Sequence, residues 1–274
     1  PGYHEMDVSF TFLAFFSVFY AMIIGDAGYG LIFLVGTIFA RIKMKNAPAE
    51  PFALFFILSS ATLIWGVITG TWFGSKAIAE LPFLQPFIIE NMYSFNSSEA
   101  AAIFMKQFAF VIGAAQLIIG RLLAMSRKLK QPQFLADLGW ILVTVFMFFL
   151  AQFLVNGKAM PSWLPYLLGA GMLLVMVFTN FQKNIFKAIG GSIITTLLDT
   201  ISSFSDVVSY IRLYAVGIAS VTVAASFNDM AGGLAAPLIL IFGHGLNIIL
   251  GLMSVLVHGV RLNVLEFSGA LGQE

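Results

Sequence analysis

Long apolar runs separated by short polar segments dominate the chain. A helix of about 20 apolar residues crosses the roughly 30 Å hydrocarbon core of a bilayer. The first run, Val8 to Ala40, has 33 residues, and three glycines and an aspartate interrupt it between Gly25 and Gly30. One straight helix of that length would measure about 50 Å, so we predict two helices there. The pattern predicts eight spans, at about 8–24, 27–41, 51–74, 104–126, 134–155, 163–181, 193–231 and 237–268.

The composition agrees with an all-α, polytopic membrane bundle that forms a single transmembrane domain over residues 1–274. Hydrophobic residues make up 59% of the chain and charged residues 10%, whereas soluble domains carry about 25% charged residues. The net charge of +1 gives no reason to expect nucleic acid as a partner. Because cysteine is absent, disulfides and thiolate-bound metals are excluded, and no cofactor is expected. The Pro-Gly start predicts that the chain is the membrane part of a longer protein.

The basic residues predict the orientation in the membrane, because Lys and Arg in short loops stay on the cytoplasmic side. With eight spans, one side receives Arg41, Lys43, Lys45, Arg127, Lys128, Lys130, Lys183 and Lys187. The other side receives Lys76, Lys106 and Lys158. We therefore expect the first side, together with both chain ends, to be cytoplasmic.

Arg212 lies near the centre of the seventh predicted span, about twenty residues from either end. An arginine at that depth cannot easily reach the interface and costs about 2.5–3.5 kcal/mol by insertion scales. Ser205, Ser209 and Arg212 are spaced to share one helix face. The same helix carries further polar residues toward its cytoplasmic end: Asp199, Ser202, Ser203 and Asp206. A functional arginine is the favoured interpretation, and a structural ion pair with Asp199 or Asp206 is the alternative.

A second polar stripe runs along the last span with a period near 3.5 residues. Its members are His244, Asn247, Gly251, Ser254, His258 and Arg261. Either histidine alone would more often be a hydrogen-bonded interior residue than a proton relay. Asp26 has two interpretations as well, a functional carboxylate or a cap of the helix that follows it. Arg121 is expected to snorkel from near its helix end and is left outside the site.

Three motifs at these residues resemble a known family. They are Gly25-Asp26-Ala27-Gly28-Tyr29-Gly30, Ser209-Tyr210-Ile211-Arg212-Leu213-Tyr214-Ala215, and Val257-His258-Gly259-Val260-Arg261-Leu262 followed by Glu266-Phe267. Together they resemble the membrane domain of the V-type ATPase a subunit, called subunit I in bacteria and archaea. The likeness extends over the whole chain and includes Gly113-Ala114-Ala115-Gln116.

The resemblance implies a fold, partners and a location. It implies eight transmembrane helices, of which the last two are long and inclined and pack against a ring of proteolipid c subunits. It also implies a further N-terminal cytoplasmic domain that binds stalk subunits. The expected chain is a non-catalytic stator of a rotary motor in a prokaryotic plasma membrane. It would form two half-channels for H⁺ or Na⁺, while other subunits carry out the ATP chemistry.

The resemblance also implies residue roles. Arg212 would face the ring carboxylate, with Arg261 as its partner and His258 one turn away. Asp26 would belong to the outer half-channel, and Asp199 with Asp206 to the cytoplasmic one. The remaining expected members of the ion path are Ser209, Asn247, His244 and Glu266. Some relatives carry a carboxylate where this chain has Gly251.

Two other functions remain as alternatives. An intramembrane aspartyl protease would pair Asp26 with Asp199 or Asp206 as a catalytic dyad. An ion-coupled secondary transporter would need broken helices from two repeats that meet at the midplane of the membrane, and no such repeat is evident.

Overall fold

The computed structural model describes residues 8–128, 131–179 and 185–271, and the side chains of the last range from residue 193 onward. Within these ranges every regular secondary-structure element is a helix, which confirms the all-α prediction. The helices of 15 or more residues are α1 (Ser9–Ile24), α2 (Ala27–Lys43), α3 (Ala49–Thr69), α4 (Glu99–Arg127), α5 (Phe134–Asn156), α6 (Leu164–Phe178), α7 (Ile185–Ser209), α8 (Ile211–Met230) and α9 (Ala236–Ser254). Lys130 and Lys183, assigned above to the cytoplasmic side, lie outside the described residues.

Five helical segments in the described part of the chain are long and apolar enough to cross a bilayer. They are Ala49–Thr69, Glu99–Arg127, Phe134–Asn156, Ile193–Met230 and Gly233–Leu271. The last two contain 38 and 39 residues, so the prediction of two long C-terminal helices is confirmed. Both are interrupted, the first at Tyr210 and the second by π-helical turns at Val255–Gly259 and Leu262–Phe267. Their inclination to the membrane stays a prediction.

The glycine cluster in the first apolar run breaks the helix. Helix α1 ends at Ile24, and Gly25 follows with a φ of 69° in the left-handed region that glycine adopts most easily. Helix α2 then starts at Ala27 with Asp26 as its N-cap. The break lets two helices of 16 and 17 residues replace one that would be too long for the bilayer.

The residues group into two compact units, and the prediction of a single transmembrane domain stays a prediction. The first unit contains the residues up to Met105 together with Arg212–Arg261, and the second contains Lys106–Ile211 together with the residues from Leu262 onward. In the first unit α3 packs on both α1 and α2, and in the second α5, α6 and α7 pack on one another.

Close backbone approach holds α2 against α3 in the first unit. A Cβ atom added to Gly66 would lie 2.0 Å from the backbone nitrogen of Ala27, and one added to Gly30 would lie 2.6 Å from the nitrogen of Leu63. Small residues permit such contacts between membrane helices, where van der Waals packing replaces the hydrophobic effect as the driving force. The start of α2, whose N-cap residue is Asp26, therefore packs directly on α3.

We expect Gly66→Ala to lower the apparent Tm of the detergent-purified full-length protein by several degrees. The added methyl group overlaps the backbone of Ala27, and overpacking costs about 1–3 kcal/mol. The matched control is Gly36→Ala in the same helix pair, because a Cβ atom there meets nothing within 4 Å. Thermal melting followed by size-exclusion chromatography measures both variants, and equal melting would contradict the packing described.

Candidate functional site

The carboxylate of Asp26 accepts hydrogen bonds from four backbone N–H groups in the first unit. Its Oδ1 lies 2.7 Å from the nitrogen of Gly28, 3.3 Å from that of Tyr29 and 2.9 Å from that of Phe73. Its Oδ2 lies 3.0 Å from the nitrogen of Gly74. Asp26 is 2% exposed, so the capping interpretation is confirmed, and the same side chain also holds the loop that follows α3.

A hydrogen-bonded network of side chains lies in the same unit as the Asp26 carboxylate and includes two predicted site residues. The hydroxyl of Tyr29 lies 2.8 Å from Nδ1 of His244, and Nε2 of His244 lies 3.1 Å from Oδ1 of Asn228. Asn247 donates from Nδ2 to the Tyr29 hydroxyl over 3.1 Å and to the Ser220 carbonyl over 2.9 Å. The network therefore joins α2, α8 and α9 within the first unit.

The ends of this network set the direction of its hydrogen bonds. Nδ2 of Asn228 donates to the carbonyl of Phe73 over 2.7 Å, which leaves the Asn228 Oδ1 as the acceptor facing His244. In a neutral imidazole, Nε2 of His244 then donates to Asn228 and Nδ1 accepts from the Tyr29 hydroxyl. The sequence interpretation of a histidine hydrogen-bonded in the interior therefore describes His244. Tyr29 and Asn228, which that interpretation did not single out, complete its surroundings.

The two predicted arginines are both within electrostatic range of His258 in the first unit. The positive charges of Arg212 and Arg261 both act on the imidazole of His258. Arg212 is half-buried on α8, and Arg261 is exposed between the two π-helical turns. The polar stripe of the last span is thus uneven, because Asn247 is buried and Arg261 is at the surface.

A polar cavity of about 270 Å³ lies in the second unit. It has room for several water molecules, since one water needs roughly 10–15 Å³ of such volume. The side chains that give it its polar character are Arg121, Asp199, Ser202, Ser203, Asp206 and Glu266. The cavity thus brings Glu266, in the π-helical turn Leu262–Phe267, together with Asp199 and Asp206 of α7.

Ser209 links α7 to the wall of this cavity. Its hydroxyl lies 3.2 Å from Oε1 of Glu266 and 2.7 Å from the carbonyl of Asp206. Glu266 is 5% exposed, so its carboxylate faces the cavity rather than the outer surface. Four predicted site residues, Asp199, Asp206, Ser209 and Glu266, therefore gather in the second unit.

Arg121 lines this cavity beside predicted site residues, and the expectation that it snorkels stays a prediction. Its guanidinium lies 5.3 Å from the centre of the Trp140 ring, and it is within electrostatic range of Asp137, Asp206 and Asp199. Asp137 has its own cation, the ammonium of Lys128 at 3.2 Å. No spacing in the sequence distinguishes Arg121 from an interfacial arginine, because its partners lie on α5 and α7.

Within the described residues, no group of three histidine or acidic side chains could hold a metal ion. The first unit contributes a hydrogen-bonded network around His244. The second unit contributes a cavity lined by charged and hydroxyl side chains.

Similar proteins come from bacteria and archaea, although no family model matches the chain. The V-type ATP synthase subunit I of Borreliella burgdorferi is 41% identical and aligns with 100% of this chain and 48% of its own length. V-type ATP synthase subunit I 1 of Treponema pallidum is 33% identical, covering 99% of this chain and 46% of that protein. The A-type ATP synthase subunit I of Archaeoglobus fulgidus is 26% identical, and the alignment covers 97% of this chain and 48% of that protein.

The chain thus spans about half the length of the curated relatives it matches. The match extends over essentially all of this chain. Arg212 and Arg261 lie in the two long C-terminal segments that are apolar enough to cross a bilayer. The chain belongs to the subunit I family of V-type and A-type ATP synthases.

Proposed function

We propose that this chain is the membrane part of a rotary ATPase stator, with two ion half-channels facing a ring of c subunits. It would couple the passage of H⁺ or Na⁺ to rotation of that ring. The observation that carries the proposal is the polar cavity of the second unit. Its carboxylates lie on α7 and in the π-helical turn Leu262–Phe267, and the chain is homologous to ATP synthase subunit I.

Arg212 supplies the fixed positive charge that the mechanism requires. A guanidinium does not lose its proton in a protein, so it holds its charge without carrying a proton across. A ring carboxylate that arrives opposite Arg212 would release its ion and remain charged. Moving that charged carboxylate back into lipid is costly, which prevents the ring from slipping. Arg261 and His258, which lie in the same region, would tune the position and field of Arg212.

The cavity of the second unit would serve as the cytoplasmic half-channel. Asp199 and Asp206 can accept an ion that leaves the ring, and the serines keep the passage hydrated. Arg121 would act there as a second fixed charge, held in place by the face of Trp140. The charge distribution of the sequence supports the same side, because Lys183 precedes α7 and Lys187 lies in its first turn, and both were assigned to the cytoplasmic side.

The outer half-channel would follow the network around His244. Tyr29, His244 and Asn247 form a connected series of polar groups in the first unit. Asp26 would support this path by holding the backbone of the loop after α3, since its carboxylate already accepts four N–H groups. Gly251 offers no carboxylate to the path, so His244 and Asn247 would take over that function.

The implied partners are the c ring, the peripheral-stalk and central-stalk subunits, and membrane lipid. ATP would be hydrolysed or made in other subunits, and this chain would be non-catalytic. We propose a prokaryotic plasma membrane as its location, with both termini cytoplasmic and a further N-terminal domain in the full-length protein. The bacterial and archaeal relatives and the long apolar helices support this location.

The protease alternative has less support. The Asp26 carboxylate is surrounded by backbone donors, whereas a catalytic dyad needs two carboxyl groups that share a proton at an open site. The transporter alternative lacks the pair of repeats that such folds use. We expect the purified chain to show no proteolytic turnover.

Replacement of Arg212 is the direct test of the proposal. We expect both Arg212→Gln and Arg212→Lys to lower ion pumping by at least about tenfold, the equivalent of 1.4 kcal/mol in a barrier, while the complex still assembles. ATP-driven acidification or Na⁺ uptake in vesicles measures the loss. Arg261→Ala should reduce pumping less, and Arg127→Gln at the end of α4 is the matched control. Normal pumping by both Arg212 variants would sink the assignment.

The hydration of the cavity can be tested with a single cysteine, because the chain has none of its own. We expect Ser203→Cys to react with a charged, membrane-impermeant thiol reagent about tenfold faster than Thr200→Cys, since apolar burial disfavours the reactive thiolate and keeps the charged reagent away from it. Ser203 lines the cavity, whereas Thr200 is 8% exposed and does not line it. Reagent added to the cytoplasmic side alone should suffice. Equal reaction rates would contradict a hydrated half-channel.

Asp26→Asn tests the supporting role of the capping carboxylate. The amide nitrogen cannot accept a hydrogen bond, so at least one buried backbone N–H loses its partner, at a cost of about 1–3 kcal/mol. We expect a lower Tm of the full-length protein, whereas Asp229→Asn, at an exposed position on α8, should leave it unchanged. A variant that melts normally yet fails to pump would instead make Asp26 a direct member of the ion path.

A further inference from the structure

Three fully buried polar side chains form a second network, in the second unit, that the proposed ion path does not use. The hydroxyl of Tyr210 donates to Oε1 of Gln116 over 2.7 Å, and Nε2 of Gln116 donates to Oδ1 of Asn263 over 2.6 Å. All three side chains are 0% exposed. Gln116 on α4 thus bridges the end of α7 and the π-helical turn Leu262–Phe267.

The surface of α4 around Gln116 is shaped to receive both neighbours. A Cβ atom at Gly113 would lie 2.3 Å from the ring of Tyr210, so this ring rests on the helix backbone. A Cβ atom at Gly120 would lie 3.0 Å from the Cβ of Ala270 and 3.3 Å from the ring of Phe267. Gly113, Gln116 and Gly120 are three and four residues apart, so they share one face of α4.

Both ends of this network adjoin the cavity wall described above. Tyr210 directly follows Ser209, and Asn263 precedes Glu266 by three residues. The Ser209 hydroxyl and the Glu266 carboxylate lie 3.2 Å apart. Gln116 therefore ties together the two backbone segments whose side chains meet at that contact.

We propose that Gln116 is a positioning residue for Glu266. By holding Tyr210 and Asn263, it fixes the distance between Ser209 and the Glu266 carboxylate at the wall of the polar cavity. This inference rests on the proposed function, in which Glu266 belongs to the ion path. A helix with a π-helical turn can otherwise shift its register easily, because such turns interrupt the regular hydrogen-bond ladder.

The test is Gln116→Met in the assembled complex, because methionine has a similar shape but forms neither hydrogen bond. We expect the number of ions pumped per ATP hydrolysed to fall about fivefold, the equivalent of about one hydrogen bond. The matched control is Gln152→Met, which replaces another buried glutamine of the second unit, whose Oε1 accepts a hydrogen bond from Asn156 one turn away. That control should pump normally.

The same substitution in a Glu266→Asp background distinguishes positioning from general stability. The shorter carboxylate no longer reaches Ser209, so Gln116→Met should then cost less than about twofold, because coupled residues are not additive. An equal loss in both backgrounds, or no loss in either, would overturn the inference.

Tyr210→Phe provides a milder variant if Gln116→Met fails to assemble. It removes one hydroxyl, keeps the ring on Gly113, and should show the same dependence on Glu266. Arg212→Gln, measured alongside, distinguishes a failure of the Gln116 inference from a failure of the proposed function. If Arg212→Gln abolishes pumping while the Gln116 and Tyr210 variants pump normally, only the inference fails. If Arg212→Gln pumps normally, the proposed function fails.

Discussion

The cost of keeping polar groups away from water governs this structure. In an apolar chain that lies in lipid, each buried donor and acceptor needs a partner, since an unpaired group costs several kcal/mol. Asp26 meets this requirement with four backbone N–H groups, and Gln116 meets it with two side chains. These contacts in turn fix the helix ends and the breaks on which the rest of each unit is built.

The polar residues are of two physical kinds. In the first kind, each group forms a hydrogen bond with a specific partner, as in the series from Asn228 through His244 to Tyr29. In the second kind, several charged groups border open volume, as around Arg121 and Asp206. The first kind joins neighbouring helices through a connected series of polar groups. The second kind borders open volume, which water or a small ion can occupy without displacing a structural hydrogen bond.

Breaks in the helices serve both kinds of site. The interruption at Gly25 exposes backbone donors that Asp26 satisfies, and the interruption at Tyr210 separates Ser209 from Arg212. The π-helical turns alter the face of the last helix between His258 and Glu266. A regular helix would repeat one face every 3.6 residues, so a single polar stripe could not serve different surroundings along its length.

The sequence by itself determined the helical membrane fold, the break near Gly25, the two long C-terminal segments and most of the polar positions. Hydrophobic run length and helical spacing are local properties, so they can be read from the order of residues. Only the tertiary structure decided which polar groups meet. Arg121 and Gln116 looked like an interfacial arginine and an ordinary family residue, because their partners lie more than ten residues away on other helices. Such pairings follow from helix packing, which the spacing along one helix does not encode.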